Sequence, residues 1–203
     1  MKQSTLLKVF GSIAALGLAA SIAGLGTFAS FTSSTSASQA ISSGTVSIAL
    51  GTAGTAQNRL TVGASNLVPG DTVQRAVDLT SASSDPLGSV TLQTSGSPSN
   101  VLLTDPNGLT VKVDKCSIAW TESGTAPAYT YTCGGTTSSV LGSSAVGGSA
   151  VPLGSLAALA SGSSTDHLLV TLTLPSAAGN NLQSLSTSIT YSFNGTQRAA
   201  TSK

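Results

Sequence analysis

The chain has 203 residues, 40% of them hydrophobic and only 7% charged, with a formal net charge of +1. About a quarter charged is usual for a globular domain; here Ser, Thr, Gly and Ala take that share. This balance excludes a charge-expanded disordered chain and a heptad coiled coil. With no basic patch or Arg-rich run, it also excludes nucleic acid as a partner.

The first elements concern export. Lys2 and Lys8 give a basic start, followed by an apolar, Ala/Leu/Gly-rich run over residues 9–23. The small residues Thr27 and Ala29 then satisfy a small-x-small cleavage rule, so a signal peptide over 1–29 with the cut after Ala29 is expected. Such a cut leaves six basic and seven acidic residues, a net charge of −1 that opposes self-association only weakly. The competing reading is an uncleaved anchor, since residues 9–31 are nearly long enough to span a bilayer. The remainder, 30–203, is read as a single domain.

Residues 30–43 hold no charge and no Pro, and only two large apolar side chains, Phe31 and Ile41. Residues alone allow either a plain disordered leader or a segment that travels unfolded and anchors by those two side chains. From Thr45 the period becomes two: Val46, Ile48 and Leu50 share one face of a strand. Residues 59–64 repeat the pattern through Leu60, Val62 and Ala64. Asn66-Leu67-Val68-Pro69-Gly70-Asp71-Thr72 predicts a type II turn, with Asp71 bonding nearby backbone. Val73, Val77 and Leu79 line the next strand, interrupted by Arg75. Asp85–Gly88 predicts another turn and 90–94 another strand.

Asp105-Pro106-Asn107-Gly108 predicts a hairpin turn into Leu109, Val111 and Val113. Residues 109–120 and 128–133 alternate around a Gly124/Pro127 turn. Cys116 and Cys133 pair in an oxidising compartment, which predicts a hairpin stapled across its strands. Neither the spacing of a redox motif nor His partners for a metal are present. Residues 134–149, rich in Gly and Ser, predict an exposed loop. Leu153, Leu156 and Leu159 at helical spacing predict one short helix over 152–160. Residues 168–174 and 185–193 give the last two strands. Such alternation buries one face of each sheet, so the expected fold is all-β: a two-sheet, jelly-roll-like sandwich with one short helix and a disulfide-stapled hairpin insert over 109–149.

Landmarks from end to end resemble the TasA/camelysin family of secreted bacterial proteins, whose best-known members build biofilm matrix fibres. Gly26-Thr27-Phe28-Ala29 with Phe31 is similar to the family's signal end. Ile41-Ser42-Ser43-Gly44-Thr45-Val46-Ser47-Ile48 is similar to its first strand. Asn66–Asp71 resembles its N-L-x-P-G-D turn, and Asn181-Leu182-Gln183 with 189–193 and Thr196-Gln197 resembles its closing strand. The acidic residues usual after the signal are replaced by Thr32-Ser33-Ser34, and the Cys insert has no counterpart. The resemblance implies a secreted subunit of an extracellular matrix or cell surface that joins head-to-tail to copies of itself. Its freed N-terminal segment would be donated through Phe31, Ile41, Val46, Ile48 and Leu50. Implied partners are a signal peptidase and an accessory matrix protein. A monomeric surface or fibre-accessory binding module, with the insert as contact surface, is the second expectation.

Some relatives carry a metallopeptidase label, which makes a camelysin-type peptidase the third. A catalytic zinc takes three protein ligands with a Glu as base. The chain has one His, His167, one Glu, Glu122, and no H-E-x-x-H. No Gly-x-Ser-x-Gly elbow follows a strand. Asp71, Asp78, Asp85, Asp105 and Asp114 are read as turn and strand-exit residues. Trp120, Tyr129 and Tyr131 are read as packing residues of the insert. The expectation is therefore a non-enzymatic protein without a cofactor.

Overall fold

A computed structural model of the chain describes residues 45–201. Among the described residues, ten strands carry the fold. In chain order they are β1 Ile48–Leu50, β2 Thr72–Ala82, β3 Leu87–Ser97, β4 Thr110–Cys116, β5 Thr121–Thr125, β6 Ala128–Thr132, β7 Thr137–Ala145, β8 Val151–Pro152, β9 Ser163–Thr173 and β10 Ser188–Gln197. A single helical turn, α1 (Val101–Thr104), precedes β4. One sheet has the order β1-β2-β9-β4-β7, the second β10-β3-β8, and β5-β6 form a separate hairpin.

The two larger sheets stack as the alternation requires. Val77 and Leu79 of β2, Val111 and Val113 of β4, and Leu168 and Val170 of β9 meet Val90 and Leu92 of β3 in one buried core. One flank is closed by backbone: Leu153 N–H donates to Val90 O (2.9 Å) and Gly154 N–H to Val140 O (3.0 Å). This joins β8 to both sheets. The opposite flank is bounded by the outer strands β1 and β10, where a methyl on Gly195 would stand 3.3 Å from Ile48 Cγ2.

The predicted sandwich and the predicted disulfide are present; several element boundaries differ. The Pro69-Gly70 turn forms as read, with Gly70 at φ +100° and Asp71 N–H donating to Val68 O at 2.9 Å. Asp71 Oδ2 accepts from Val68 N–H at 2.9 Å. The strand predicted over 59–64 is a turn instead. Its carbonyls at Val62 and Gly63 accept from the Arg75 guanidinium, so no strand partner reaches them.

The predicted loop over 134–149 is largely strand β7, which pairs with β4. Val140 and Val146 are buried and fix its face, while small Ser residues suit an outer position. The predicted helix over 152–160 is only a 3-10 turn, Ala157–Leu159, after the short β8. The Asp166 carboxylate accepts from Ala157 and Ala158 N–H (2.8 and 3.2 Å) and caps that turn early. The Asp105–Gly108 turn does not join two strands. It ends α1, with Gly108 N–H donating to Asp105 O at 2.8 Å. The last strand begins at Ser188 rather than Leu185, because Ser184 takes φ +58° and turns the chain just before it.

The insert also differs in detail. Residues 109–120 are not one strand: β4 stops at Cys116, held between β7 and β9. The hairpin proper is β5–β6, and Cys116–Cys133 closes its base rather than bridging paired positions.

Candidate functional site

Two places among the described residues hold what sequence reading singled out, the first strand and the insert; the outer edge of β10 is added by the structure.

Ala29, Phe31 and Ile41 lie outside the described residues. The chain that follows them is laid on β2. Ser84 N–H donates to Thr45 O (3.2 Å) and Ala82 N–H to Ser47 O (3.0 Å), continuing the β1–β2 ladder. Of the three apolar residues of this segment, Ile48 packs against the core. Val46 and Leu50 keep 42% and 37% of their surface in solvent. The segment is thus an edge strand anchored by one side chain.

β10 pairs with β3 along its whole length and is the other strand bounding this flank. Beside its first half lies a cleft of about 230 Å³ walled by Leu60, Val62, Val73, Leu172, Ile189 and Tyr191. A second cleft of about 470 Å³ continues from it past Leu67, Leu109 and Leu174 toward Leu185. Ile189 and Tyr191, at the inward positions of β10, supply that strand's apolar share of the wall, while Thr61, Arg75, Thr187 and Ser188 add polar groups. Burial pushes the Tyr191 hydroxyl well above the usual tyrosine range.

The insert docks by charge and ring contacts. Arg59 donates to both oxygens of Glu122, Nε to Oε2 at 2.9 Å and Nη2 to Oε1 at 2.6 Å. Tyr131 donates from its hydroxyl to Glu122 Oε2 at 3.0 Å. The Tyr129 ring lies under two guanidinium groups, 4.7 Å from Arg59 Cζ and 5.7 Å from Arg75 Cζ. Glu122 is held below the usual carboxylate range, chiefly by its hydrogen bonds from Arg59. Tyr131 is pushed up to about 12 by burial and by the neighbouring carboxylate. Trp120 donates from Nε1 to His167 O at 2.9 Å. Packing accounts for Trp120 as read; the two tyrosines do more, since they complete a charged cluster.

The residues do not fit a catalytic zinc. His167 sits inside β9, its Nδ1 2.7 Å from Asp78 Oδ1 of β2. Glu122, the remaining component of a peptidase site, is bound to Arg59 and Tyr131 as described. Among the described residues no three His, Cys, Asp or Glu side chains converge on one point. Asp78 and Asp114 lie within strands rather than at their exits. No helix among the described residues is long and apolar enough to cross a membrane.

Sequence reading missed two structural ion sites. Arg75, 4% exposed, turns from the core face to donate to four carbonyls: Val62, Gln74, Gly63 and Pro127. Its position amid Val73, Val77 and Leu79 was the available signal. Asp166, 1% exposed, also lies 3.4 Å from Lys115 Nζ. Nothing in its local sequence marks it, because its donors arrive from the turn nine residues earlier.

A family model described as camelysin metallo-endopeptidase matches residues 5–113. The matched residues end inside β4, before the β5–β6 hairpin and within the first residues of the predicted 109–149 insert. No curated protein matches the chain.

Proposed function

Because the chain belongs to the camelysin metallo-endopeptidase family, whose resemblance extends to fibre-forming TasA-like proteins, we propose that it is a non-enzymatic structural subunit. In this reading it is secreted by cleavage after Ala29 and builds extracellular fibres by head-to-tail strand donation. The freed leader, carrying Phe31 and Ile41, leaves one subunit just before β1. It adds to a neighbouring copy along the outer edge of β10.

The observation that carries this reading is the pairing of an unclosed flank with a channel that offers aliphatic recesses between polar groups. β10 ends its sheet, and the two continuous clefts beside it combine leucine, valine and isoleucine side chains with polar groups. A strand laid there gains main-chain hydrogen bonds, while alternate side chains enter the clefts. The outward groups of β10 are uncharged along the strand, SITYSFNGTQ, so nothing in it repels a second chain. Head-to-tail donation between unlike surfaces need not close on itself and gives a filament.

Electron microscopy of purified protein beginning at Ser30, compared with protein beginning at Gly44, tests the reading. Fibres from the longer form alone are expected. Fibres from both sink donation by the leader. Casein digestion that is lost both with a chelator and in His167→Ala would instead assign the peptidase activity of the family's description.

A second reading, a monomeric binding module, draws on the β5–β6 hairpin lying outside the matched residues. Sedimentation of the Ser30 form as a monomer at every concentration would favour it.

A further inference from the structure

β2 poses a problem that the insert solves. Its eleven residues pair with β9 along one side. On the other side the three-residue β1 covers only Leu79–Ser81. The ladder is prolonged by Gly51 N–H to Asp78 O (3.0 Å), Asp78 N–H to Gln57 O (2.7 Å) and Arg59 N–H to Ala76 O (2.9 Å). Before Ala76 no described strand lies on that side. Gln74 and Ala76 share the outward direction of Asp78, since main-chain groups repeat every second residue.

Side chains take the place of a strand there. Gln74 O accepts from Arg75 Nη1 at 2.6 Å, and Pro127, Ala128 and Tyr129 of the insert wall a cleft together with Gln74 and Arg75. The Arg75 side chain is fixed by the insert. Arg75 Nη2 donates to Pro127 O at 3.0 Å. Tyr131 donates to Glu122, which binds Arg59 through two bonds, and Tyr129 lies beneath both guanidinium groups. The Cys116–Cys133 disulfide ties the base of the hairpin to the end of β4.

We propose that the β5–β6 insert is a latched guard over the N-terminal half-edge of β2. Releasing it uncovers a strand-pairing edge to which a second copy of this chain adds. An uncovered edge is a template for another strand. The same chain supplies two outer strands without charge, β7 and β10, and its net charge of +1 opposes self-contact little. The guard therefore confines self-pairing to the opposite side of the flank. It stands apart from donation by the leader, because β2, not β10, is the edge concerned.

The test uses the full chain with its disulfide intact, the Glu122→Gln variant, and the Cys116→Ser/Cys133→Ser/Glu122→Gln variant. Amide hydrogen exchange at Gln74 and Ala76 is expected to quicken about tenfold on release, as the outward N–H groups lose the cover of the insert and open locally to water, with Leu168 and Val113 unchanged. The released protein should also self-associate in light scattering. Adding Gln74→Pro, which removes an outward N–H without touching the β9 ladder, should suppress that association. The latched protein carrying Gln74→Pro sets the baseline, so a failure of leader donation leaves the comparison intact. Unchanged exchange at Gln74 and Ala76 overturns the proposal, as does association indifferent to Gln74→Pro. If the triple variant loses core protection, Glu122→Gln alone decides on the same amides.

Discussion

The stacked sheets and the insert that leans on them are held by opposite kinds of force. The sheets bury aliphatic side chains from β2, β3, β4 and β9 in one core. The insert is exposed along its outer face and has two strands only. A two-stranded hairpin has too little apolar area to stand alone in water. It is therefore fastened by a disulfide, a two-bond ion pair and an aromatic ring under two cations. The lesson is that where packing is insufficient, a few charged groups and a covalent link take its place.

The largest expected effect tests the first half of that comparison. Leu79→Ala, at a fully buried site, should cost roughly 2–5 kcal/mol in denaturant unfolding, while exchange at Ala76 relative to the core stays as it was. Loss of the insert alone, with global stability intact, would reverse the assignment of forces.

Next comes the staple. Cys116→Ser/Cys133→Ser opens a link between residues 17 apart, which should lower stability by about 3 kcal/mol if it constrains the unfolded chain. The loss should be read as proteolysis between 117 and 133 before the sheets unfold. Simultaneous cleavage in both regions would show that the two are one cooperative unit.

Asp166→Ala sharpens the comparison by removing an ion from inside the sandwich. It strips the acceptor of Ala157 and Ala158 N–H and leaves Lys115 without its carboxylate. About 2–3 kcal/mol of destabilisation is expected for charged hydrogen bonds of this kind, measured by thermal unfolding.

The smallest effects are those of pH, confined to the insert. Glu122 is depressed below its ordinary value of 4.5 in the fold. Its contribution is therefore fully present above 4.5 and is lost as pH falls through the folded value. Tyr131 is raised to about 12, so its contribution is present below its ordinary 10 and disappears as pH climbs toward 12. Exchange at Gln74 and Ala76 should quicken at both extremes, and Glu122→Gln should abolish the acid limb. A pH-independent profile would remove the ion pair from the latch.

Legibility in the sequence followed the same division. Residues 168–174 and 189–193 alternate cleanly and became β9 and β10, because burial of one face fixes a strand's pattern. The Pro69-Gly70 turn was readable because its φ demands are local. Residues 59–64 alternate as well but form no strand, since the Arg75 side chain takes their carbonyls from outside the window. Residues 137–145 looked like a loop, yet pair with β4, where position in the sheet outweighs a Ser-rich composition. The Arg59–Glu122 pair spans 63 residues, and no local pattern encodes such a meeting.

By itself the sequence determined the class of fold, the disulfide and the family, since each depends on residue type and short-range period. Only the tertiary structure decided which strands end their sheets, where the clefts open beside β10, and that the insert covers β2. Those depend on which distant segments reach a given edge first, and edge occupancy is a property of the packed sheets rather than of any strand.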